Sequence, residues 1–395
     1  MKERCDGNMK YAFRCIKCGF VNEIYFNRCP KCHFIPEVYF TNLTWKTIRS
    51  RGDMWRYMYL LPTCSTAISL GEGVTPLRRV GEVFIKDETR NPTRSYMDRG
   101  SALLVNYLNI PKEVTVSYIQ DFTSSISLYL TKAGIKVSVL VDPLSVDPLE
   151  LLYIASLDVN ISFVKDMLSE NRSMYTYEDP LVIEGLKTIS YELHEQCRKI
   201  NIEGVVVPSE SGILAFSIAK GYRELKLMGV LENVPELILA VSRGLPAPEM
   251  LKYIKEMKVR LETVDDEEVL RSMVFLAKRG VYVKPVSAMA YAVAENLGKR
   301  YVAIISGSSL RRMYRGGLSA LTSFQKRIID VLSREGELTA YQLWKRMDEY
   351  TLQAVYKALS KLSSLGLVDR EIRMIGDKKI SYYRIRYDMR IKEFL

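Results

Sequence analysis

The chain has 395 residues, of which 48% are hydrophobic and 26% are charged, as in an ordinary globular protein of two or three domains. It has no apolar run of about 18 residues and no apolar signal core at its start, so we expect no membrane span and a cytoplasmic location. The 57 Lys and Arg exceed the 46 Asp and Glu by 11 charges, which favours a polyanionic partner without identifying one.

Two C-x-x-C pairs near the start of the chain predict a small metal-binding domain over residues 1–40. We assign Cys15, Cys18, Cys29 and Cys32 to one zinc ion, because each turn can aim two thiolates at the same tetrahedral centre. A site with four thiolates is closed, so the zinc is expected to stabilise the fold rather than to take part in catalysis. Unligated cysteines in a small core are the alternative.

In residues 41–317, apolar runs of strand length alternate with segments that have helical periodicity. The predicted strands are 114–117, 137–141, 204–207, 236–241 and 301–305. The predicted helices are 101–108, 126–133, 180–199, 213–227 and 267–278. This alternation is typical of parallel sheets with helices on both faces, so the sequence predicts an α/β domain.

One motif in this domain resembles the cofactor-binding signature of threonine synthases, N-P-T-G-S-F-K-D-R-G. It reads Asn91-Pro92-Thr93-Arg94-Ser95-Tyr96-Met97-Asp98-Arg99-Gly100. Three further segments resemble the same family in the same order, namely 55–62, 69–77 and 184–192. The resemblance covers residues 10–317. It implies a fold-type II pyridoxal-phosphate (PLP) enzyme scaffold, in which two α/β lobes enclose a cleft.

The resemblance also implies that residue 97 is the lysine that forms the Schiff base with PLP. This chain has Met97 there, and a thioether cannot form an imine. Lys86, Lys132 and Lys187 match ordinary positions of the family pattern, so none of them is a natural replacement. The central reagent of the enzyme is therefore missing from its usual place.

Two other cofactor-binding segments also depart from the family. The asparagine turn aligns with 118–122, where Gln120 and Asp121 replace a glycine and the asparagine. The phosphate cradle reads Ser209-Glu210-Ser211-Gly212, which places a carboxylate where a dianion would bind. We therefore predict a pseudoenzyme without catalytic residues, and we do not expect it to bind PLP.

Hydroxyls and charged groups still line the predicted cleft. They could hold a small amino acid or an anionic effector, so we predict a ligand-sensing pocket, with a structural relic as the alternative. The predicted pocket residues are Thr93, Ser95, Asp98, Arg99, Ser209, Ser211, Ser306 and Ser308.

Residues 318–395, which follow Gly316 and Gly317, resemble a winged helix-turn-helix domain. Two amphipathic helices flank a shorter one, and a basic hairpin follows over 368–385. Such domains place the third helix in the major groove and the wing along the phosphates. The predicted DNA contacts are Gln353, Tyr356, Lys357, Lys361, Arg370, Arg373, Lys378 and Lys379.

Together these features predict a DNA-binding transcriptional regulator that acts as a homodimer. Its inactive threonine-synthase-like domain would serve as a ligand sensor or a dimerisation scaffold. Two alternatives stay open at this point. One is a PLP-dependent amino-acid enzyme with an accessory winged helix, and the other is an RNA- or ribosome-associated factor that uses both basic ends of the chain.

Overall fold

The computed structural model describes residues 11–63, 66–164, 175–255, 257–298, 300–310, 322–347, 349–364, 368–376 and 378–385. The chain divides into two compact units, residues 1–313 and 314–395. The boundary predicted at Gly316 and Gly317 lies outside the described residues. None of the helices in these described ranges has the length together with the apolar composition that a membrane span requires.

The first unit is built from alternating strands and helices. Its strands are β1 (Tyr11–Cys15), β2 (Val21–Asn22), β3 (Pro36–Phe40), β4 (Leu77–Val80), β5 (Val83–Asp87), β6 (Glu113–Ser117), β7 (Lys136–Val141), β8 (Val159–Phe163), β9 (Gly204–Pro208), β10 (Glu236–Ser242), β11 (Val259–Val264) and β12 (Tyr301–Ile305). Its α-helices are α1 (Met97–Tyr107), α2 (Phe122–Lys132), α3 (Pro148–Ala155), α4 (Pro180–Gln196), α5 (Ile213–Leu227), α6 (Asp266–Ala277) and α7 (Pro285–Leu297). Short 3-10 helices cover 54–60, 88–90 and 249–253.

These strands form three sheets. The amino-terminal sheet is antiparallel in the order β2-β1-β3, and one lobe contains the parallel sheet β6-β7-β8. The other lobe contains the sheet β11-β10-β9-β12-β5-β4, which is parallel except at the β4 edge. The predicted α/β class is confirmed, and each predicted strand and helix overlaps an observed one.

The core of the larger lobe explains why its central strands are apolar throughout. All five residues of β9 are buried, because helices cover both faces of a central parallel strand. Helix α7 packs on this sheet through small side chains, including Ala288, Ala290 and Ala294, which let the helix approach closely. Helix α4 starts where Asp179 accepts the Leu181 N–H and Pro180 occupies the first turn.

The second unit has a mixed order of helices and strands. It consists of α8 (Ser323–Glu335), β13 (Leu338–Thr339), α9 (Ala340–Trp344), α10 (Leu352–Ser364), β14 (Val368–Ile375) and β15 (Lys378–Ile385). The strands form one antiparallel sheet in the order β13-β15-β14. Thr322 and Thr339 cap α8 and α9 in reciprocal pairs with Gln325 and Gln342.

Candidate active site

The candidate active site lies where four segments of the first unit meet. Ser95 and Gly307 form an antiparallel bridge, and the Tyr96 N–H donates to the Ser306 carbonyl oxygen at 2.9 Å. The Lys284 N–H donates to the Gly307 carbonyl oxygen at 3.2 Å. Residues that follow β6 also reach this point, since Asp121 Oδ2 lies 3.6 Å from where a Cβ on Gly307 would stand. The site therefore combines segments from both lobes.

Met97 is the first residue of α1 and is buried in this region. Its side chain is 4% exposed, and its backbone N–H donates to Ser95 Oγ at 3.3 Å. The first residue of α1 therefore has a buried thioether and no amine.

Lys284 is a residue that the sequence analysis missed. Its side chain is buried, and Nζ lies 3.0 Å from Asp121 Oδ1 and 3.8 Å from Glu150 Oε2. The lysine stands directly before Pro285, which starts α7. That signal marks a helix start, but no local pattern indicates that the amine reaches a carboxylate 163 positions away in the chain.

The ion pair changes the interpretation of Asp121. From the sequence alone, a carboxylate in place of the family's asparagine implies a negative charge that would repel the cofactor's phenolic oxygen. Lys284 supplies the opposite charge at hydrogen-bond distance, and the Asp121 N–H donates to Glu150 at 2.7 Å. Asp121 also adopts φ = 65° with ψ = −42°, a positive-φ backbone conformation that is rare outside glycine and often occurs at functional sites.

Tyr96 contributes a neutral phenol to the same region. Burial raises the pKa of Tyr96, and the nearby Asp121, Tyr177 and Glu210 raise that pKa further. The phenol therefore stays protonated at neutral pH. It can donate a hydrogen bond in the cleft but cannot act there as an anionic base.

The end of β9 forms the third part of the site. Among the described residues, Ser209 Oγ is buried without a hydrogen-bond partner. Gly212 follows with φ = 84° and is the N-cap of α5, a helix of 15 residues. Since the first N–H groups of a helix have no partner within it, this position can bind an anion. Glu210 is exposed.

The eight predicted pocket residues fall into different settings. Arg99 is fully buried and bonded to Glu88 and Glu192, so its guanidinium is already engaged inside the protein. Ser308 Oγ donates to the Tyr282 carbonyl oxygen at 2.6 Å. Ser95, Ser209 and Ser306 are buried in the meeting region, Ser211 is half-buried, and Thr93 and Asp98 bond to each other.

Asp98 is held by three donors. The Thr93 N–H and hydroxyl lie 2.7 and 2.8 Å from its two carboxyl oxygens, and the Ser125 hydroxyl lies at 2.7 Å. Burial nevertheless raises the pKa of Asp98 to about 7, because no cation compensates the charge among these partners.

This raised pKa predicts a pH-dependent stability. The folded state binds a proton that the unfolded state releases between about pH 4 and pH 7, so this group lowers the free energy of unfolding as the pH rises through that window. Relative to wild type, Asp98→Asn should gain up to about 1.4 kcal/mol per pH unit there. Urea unfolding at several pH values measures the difference. Asp158→Asn, at an exposed carboxyl, is the control. If the free energy of unfolding of Asp98→Asn and that of wild type change in parallel with pH, the prediction is wrong.

The four predicted zinc ligands come together beside the amino-terminal sheet, with Cys15 at the end of β1 and the other three in turns and loops. Their Sγ atoms all lie within 4.8 Å of one another, with 3.4 Å between Cys15 and Cys32 and 3.5 Å between Cys18 and Cys29. Four thiolates about 2.3 Å from a common centre would have similar mutual distances. The donor set therefore fits a tetrahedral zinc ion.

The predicted DNA contacts are on the second unit. Gln353, Tyr356, Lys357 and Lys361 are exposed on α10. On the β14–β15 hairpin, Arg370, Arg373 and Lys379 are exposed, and Arg373 is paired with Glu337 and Glu371. Lys378 begins β15, and its side chain lies outside the described residues.

Sequence comparison gives matches over most of the first unit. The family described as pyridoxal-phosphate dependent enzyme matches residues 68–307, more than half of the chain. The chain is 27% identical to the threonine synthase of Methanocaldococcus jannaschii, over 75% of this chain and 92% of that protein. It is 26% identical to the threonine synthase of Methanosarcina acetivorans, over 60% of this chain and 73% of that protein.

Solved structures agree on the fold. An L-serine ammonia-lyase from Rhizomucor miehei superposes with a TM-score of 0.53 at 14% identity, over 61% of this chain and 95% of that one. Serine racemase from Dictyostelium discoideum superposes with a TM-score of 0.51 at 18% identity, over 60% of this chain and 92% of that one. At these identities the likeness shows the fold alone, which is the fold-type II PLP-enzyme scaffold that the sequence predicts.

These matches correct three predictions. The pseudoenzyme and the absence of PLP are both overturned by the family match and by the threonine synthase relatives. The DNA-binding transcriptional regulator is overturned by the same matches, which support the enzyme alternative instead. The physical reason is that Met97 changes a single position, whereas the family scaffold extends over residues 68–307 and Lys284 compensates the charge of Asp121. The chain belongs to the pyridoxal-phosphate dependent enzyme family.

Proposed function

We propose that the protein is a PLP-dependent enzyme of the threonine synthase type that acts on an amino acid. The observation that carries this proposal is the family match over residues 68–307, combined with 27% identity to a threonine synthase over 92% of that relative's length. The two α/β lobes and the polar cleft between their segments support it.

Residues of the cleft fit the cofactor at two places. Ser209 Oγ and the first N–H groups of α5 would hold the phosphate, since the hydroxyl is buried without a partner among the described residues. A buried amine, Lys284 Nζ, and a neutral phenol on Tyr96 lie near Asp121. When bound, the cofactor would draw electrons from the α-carbon of an amino acid and weaken the bonds to that carbon.

The chain's own residues would then control protons and orientation. Asp121 and Lys284 form a pair that can hold or pass a proton between Oδ1 and Nζ, which are 3.0 Å apart. Tyr96 stays protonated and can orient an oxygen of the substrate by donating a hydrogen bond.

Retention of the cofactor tests this proposal. The full chain is saturated with PLP and separated from free PLP by gel filtration, and its absorbance spectrum and PLP content are measured. We expect about one PLP per chain, together with threonine formation from the substrates of threonine synthase. A wild-type protein that elutes without PLP would contradict the proposal.

Ser209→Ala gives a sharper test of the phosphate position. Losing a hydrogen bond to a charged group costs about 1.5–3 kcal/mol, so we expect PLP binding to weaken at least about tenfold. Ser217→Ala is the matched control. It removes a buried hydroxyl of α5 that already donates to the Ile213 carbonyl oxygen. Equal binding by the two variants would place the phosphate elsewhere.

We further propose that Cys15, Cys18, Cys29 and Cys32 bind one structural zinc ion. Their Sγ atoms fit a tetrahedral centre, and the short strands around them bury few apolar side chains, so a metal supplies the missing stability. One zinc per chain is expected by elemental analysis, with loss of the metal in Cys29→Ser. Cys197→Ser, at a buried cysteine outside the cluster, should keep the metal. Full zinc content in Cys29→Ser would contradict the site.

For the second unit we propose a winged-helix fold. Its support is the element order, in which α8, α9 and α10 precede the hairpin β14–β15, and β13 completes the sheet. The proposed enzyme activity is assigned to the first unit alone. The predicted homodimer and amino-acid effector stay predictions.

A further inference from the structure

The cofactor of this family needs an amine, and residue 97 does not supply one. Four lysines are buried in the described part of the chain, namely Lys86, Lys187, Lys220 and Lys284. A buried lysine that reaches the cleft could take the place of the missing one, so the surroundings of these four side chains decide the question.

Three of the four are fixed in ion networks between other elements. Lys86 Nζ is bonded to Glu192 at 2.5 Å and to the Thr75 carbonyl oxygen at 2.6 Å. Lys187 and Lys220 share the carboxylates of Glu184 and Glu224. Moving any of these amines would leave a buried carboxylate without its partner, which is costly.

Lys284 differs because its nearer partner, Asp121, belongs to the cleft, and because the more distant Glu150 also accepts hydrogen bonds from Tyr118 and Ser124. Nζ lies 3.0 Å from Asp121 Oδ1, and Asp121 stands at the start of α2 in the turn that the family resemblance places along the cofactor ring. The amine is enclosed but not sealed off, since its side chain is 9% exposed.

The backbone at Lys284 is fixed relative to the rest of the site. Its N–H donates to the Gly307 carbonyl oxygen, and the Ser287 hydroxyl one turn later bonds Ser306 Oγ at 2.9 Å and receives the Gly307 N–H at 3.0 Å. Gly307 in turn bridges Ser95. The backbone of Lys284 is therefore held beside the segment that leads into Met97. Its long side chain extends from there to Asp121.

We propose that Lys284 is the amine that binds PLP covalently in this protein, an inference that rests on the proposed function. The neutral Nζ attacks the aldehyde carbon, a carbon–nitrogen double bond forms, and the aldehyde oxygen leaves as water with the two hydrogens of the amine. Nothing is oxidised or reduced. Asp121 Oδ1 is placed to accept the proton that the ammonium must lose before Nζ can attack.

Borohydride trapping tests this proposal without measuring activity. The full chain is loaded with PLP, reduced with sodium borohydride and digested, and the peptides are analysed by mass spectrometry. The reduced pyridoxyl group is expected on the peptide that contains Lys284. Lys284→Arg keeps a positive charge beside Asp121 but has no primary amine, so the label should be lost. Lys132→Arg, at an exposed lysine, should keep the label.

Each outcome separates this inference from the proposed function. A label on another lysine, or PLP that is retained but never trapped by reduction, would overturn Lys284 as the amine and leave the enzyme proposal standing. A wild-type chain that retains no PLP would overturn the proposed function and this inference with it. Circular dichroism of Lys284→Arg shows whether the variant is folded. If it is not, the position of the label in the wild-type chain still decides.

Discussion

Arg99→Met should destabilise the first unit by about 3–5 kcal/mol, because it leaves two buried carboxylates without their main partner. The Arg99 side chain is fully buried, with Nε 2.7 Å from Glu88 and Nη1 2.6 Å from Glu192. Lys86 remains bonded to Glu192, so the carboxylate of Glu88 bears most of the loss. Urea unfolding followed by circular dichroism measures the effect.

Arg90→Met is the matched control for this substitution. Arg90 is 59% exposed and pairs with Asp87 at 3.2 Å, and an ion pair of that kind contributes at most about 1 kcal/mol. If Arg99→Met and Arg90→Met unfold alike, the buried network is not a main source of stability. If Arg99→Met folds normally but loses ligand binding, Arg99 belongs to the pocket as the sequence analysis predicted.

The same network predicts resistance to acid. Burial would raise the pKa of Glu192, but Arg99 and Lys86 lower it to about 2. The resulting stability is fully present above the ordinary glutamate range and is lost as the pH falls through the folded-state pKa. Arg99→Met should therefore shift acid unfolding to a higher pH than in Arg90→Met.

Gly185→Ala should also have a large effect, despite the higher helix propensity of alanine. Gly185 lies inside α4, and a Cβ there would stand 2.3 Å from the Arg99 carbonyl oxygen and 2.8 Å from Gly100 Cα. Both are backbone atoms of α1 and cannot rotate away. Overpacking of this kind costs about 1–3 kcal/mol and would exceed the gain of about 1 kcal/mol in propensity.

The displacement of α1 would also reach the cleft, because that helix begins at Met97. We therefore expect Gly185→Ala to retain less PLP as well as to melt at a lower temperature. Gly52→Ala is the control, since no atom lies within 4 Å of its Cβ position and its φ is not left-handed. That variant should change stability by less than about 0.5 kcal/mol. Equal melting of the two variants would mean that α1 and α4 can separate freely.

The alternation of apolar runs and helical periodicity was enough to predict the α/β class. Each predicted helix or strand has a local signal in the sequence, such as Asp179 and Pro180 at the start of α4. The start of α1 at Met97 rather than at residue 101 could not be predicted in this way. Residues 97–100 show no apolar periodicity, and in the structure Asp98 and Arg99 bond to buried partners on other segments.

The functional prediction was wrong for a related reason. Met97 is visible in the sequence, and a thioether cannot form an imine. An amine from another element can lie near the same site, but the sequence does not show which elements the fold brings there. Lys284 and Asp121 are 163 residues apart, and their contact depends on α7 and α2 meeting at the end of β12. The Asp121 carboxylate, which by itself would disfavour the cofactor, is paired with Lys284 in the folded protein.

By itself, the sequence determined what depends on spacing and periodicity. These features are the four cysteines at C-x-x-C positions, the parallel α/β lobes, and the motif around Met97, because neighbouring residues encode each of them. Only the tertiary structure decided which polar groups are free and which are engaged. The Arg99 side chain is buried in an ion network, and the Lys284 side chain lies in the cleft. Such pairing between distant segments depends on how helices and strands pack rather than on their order in the chain.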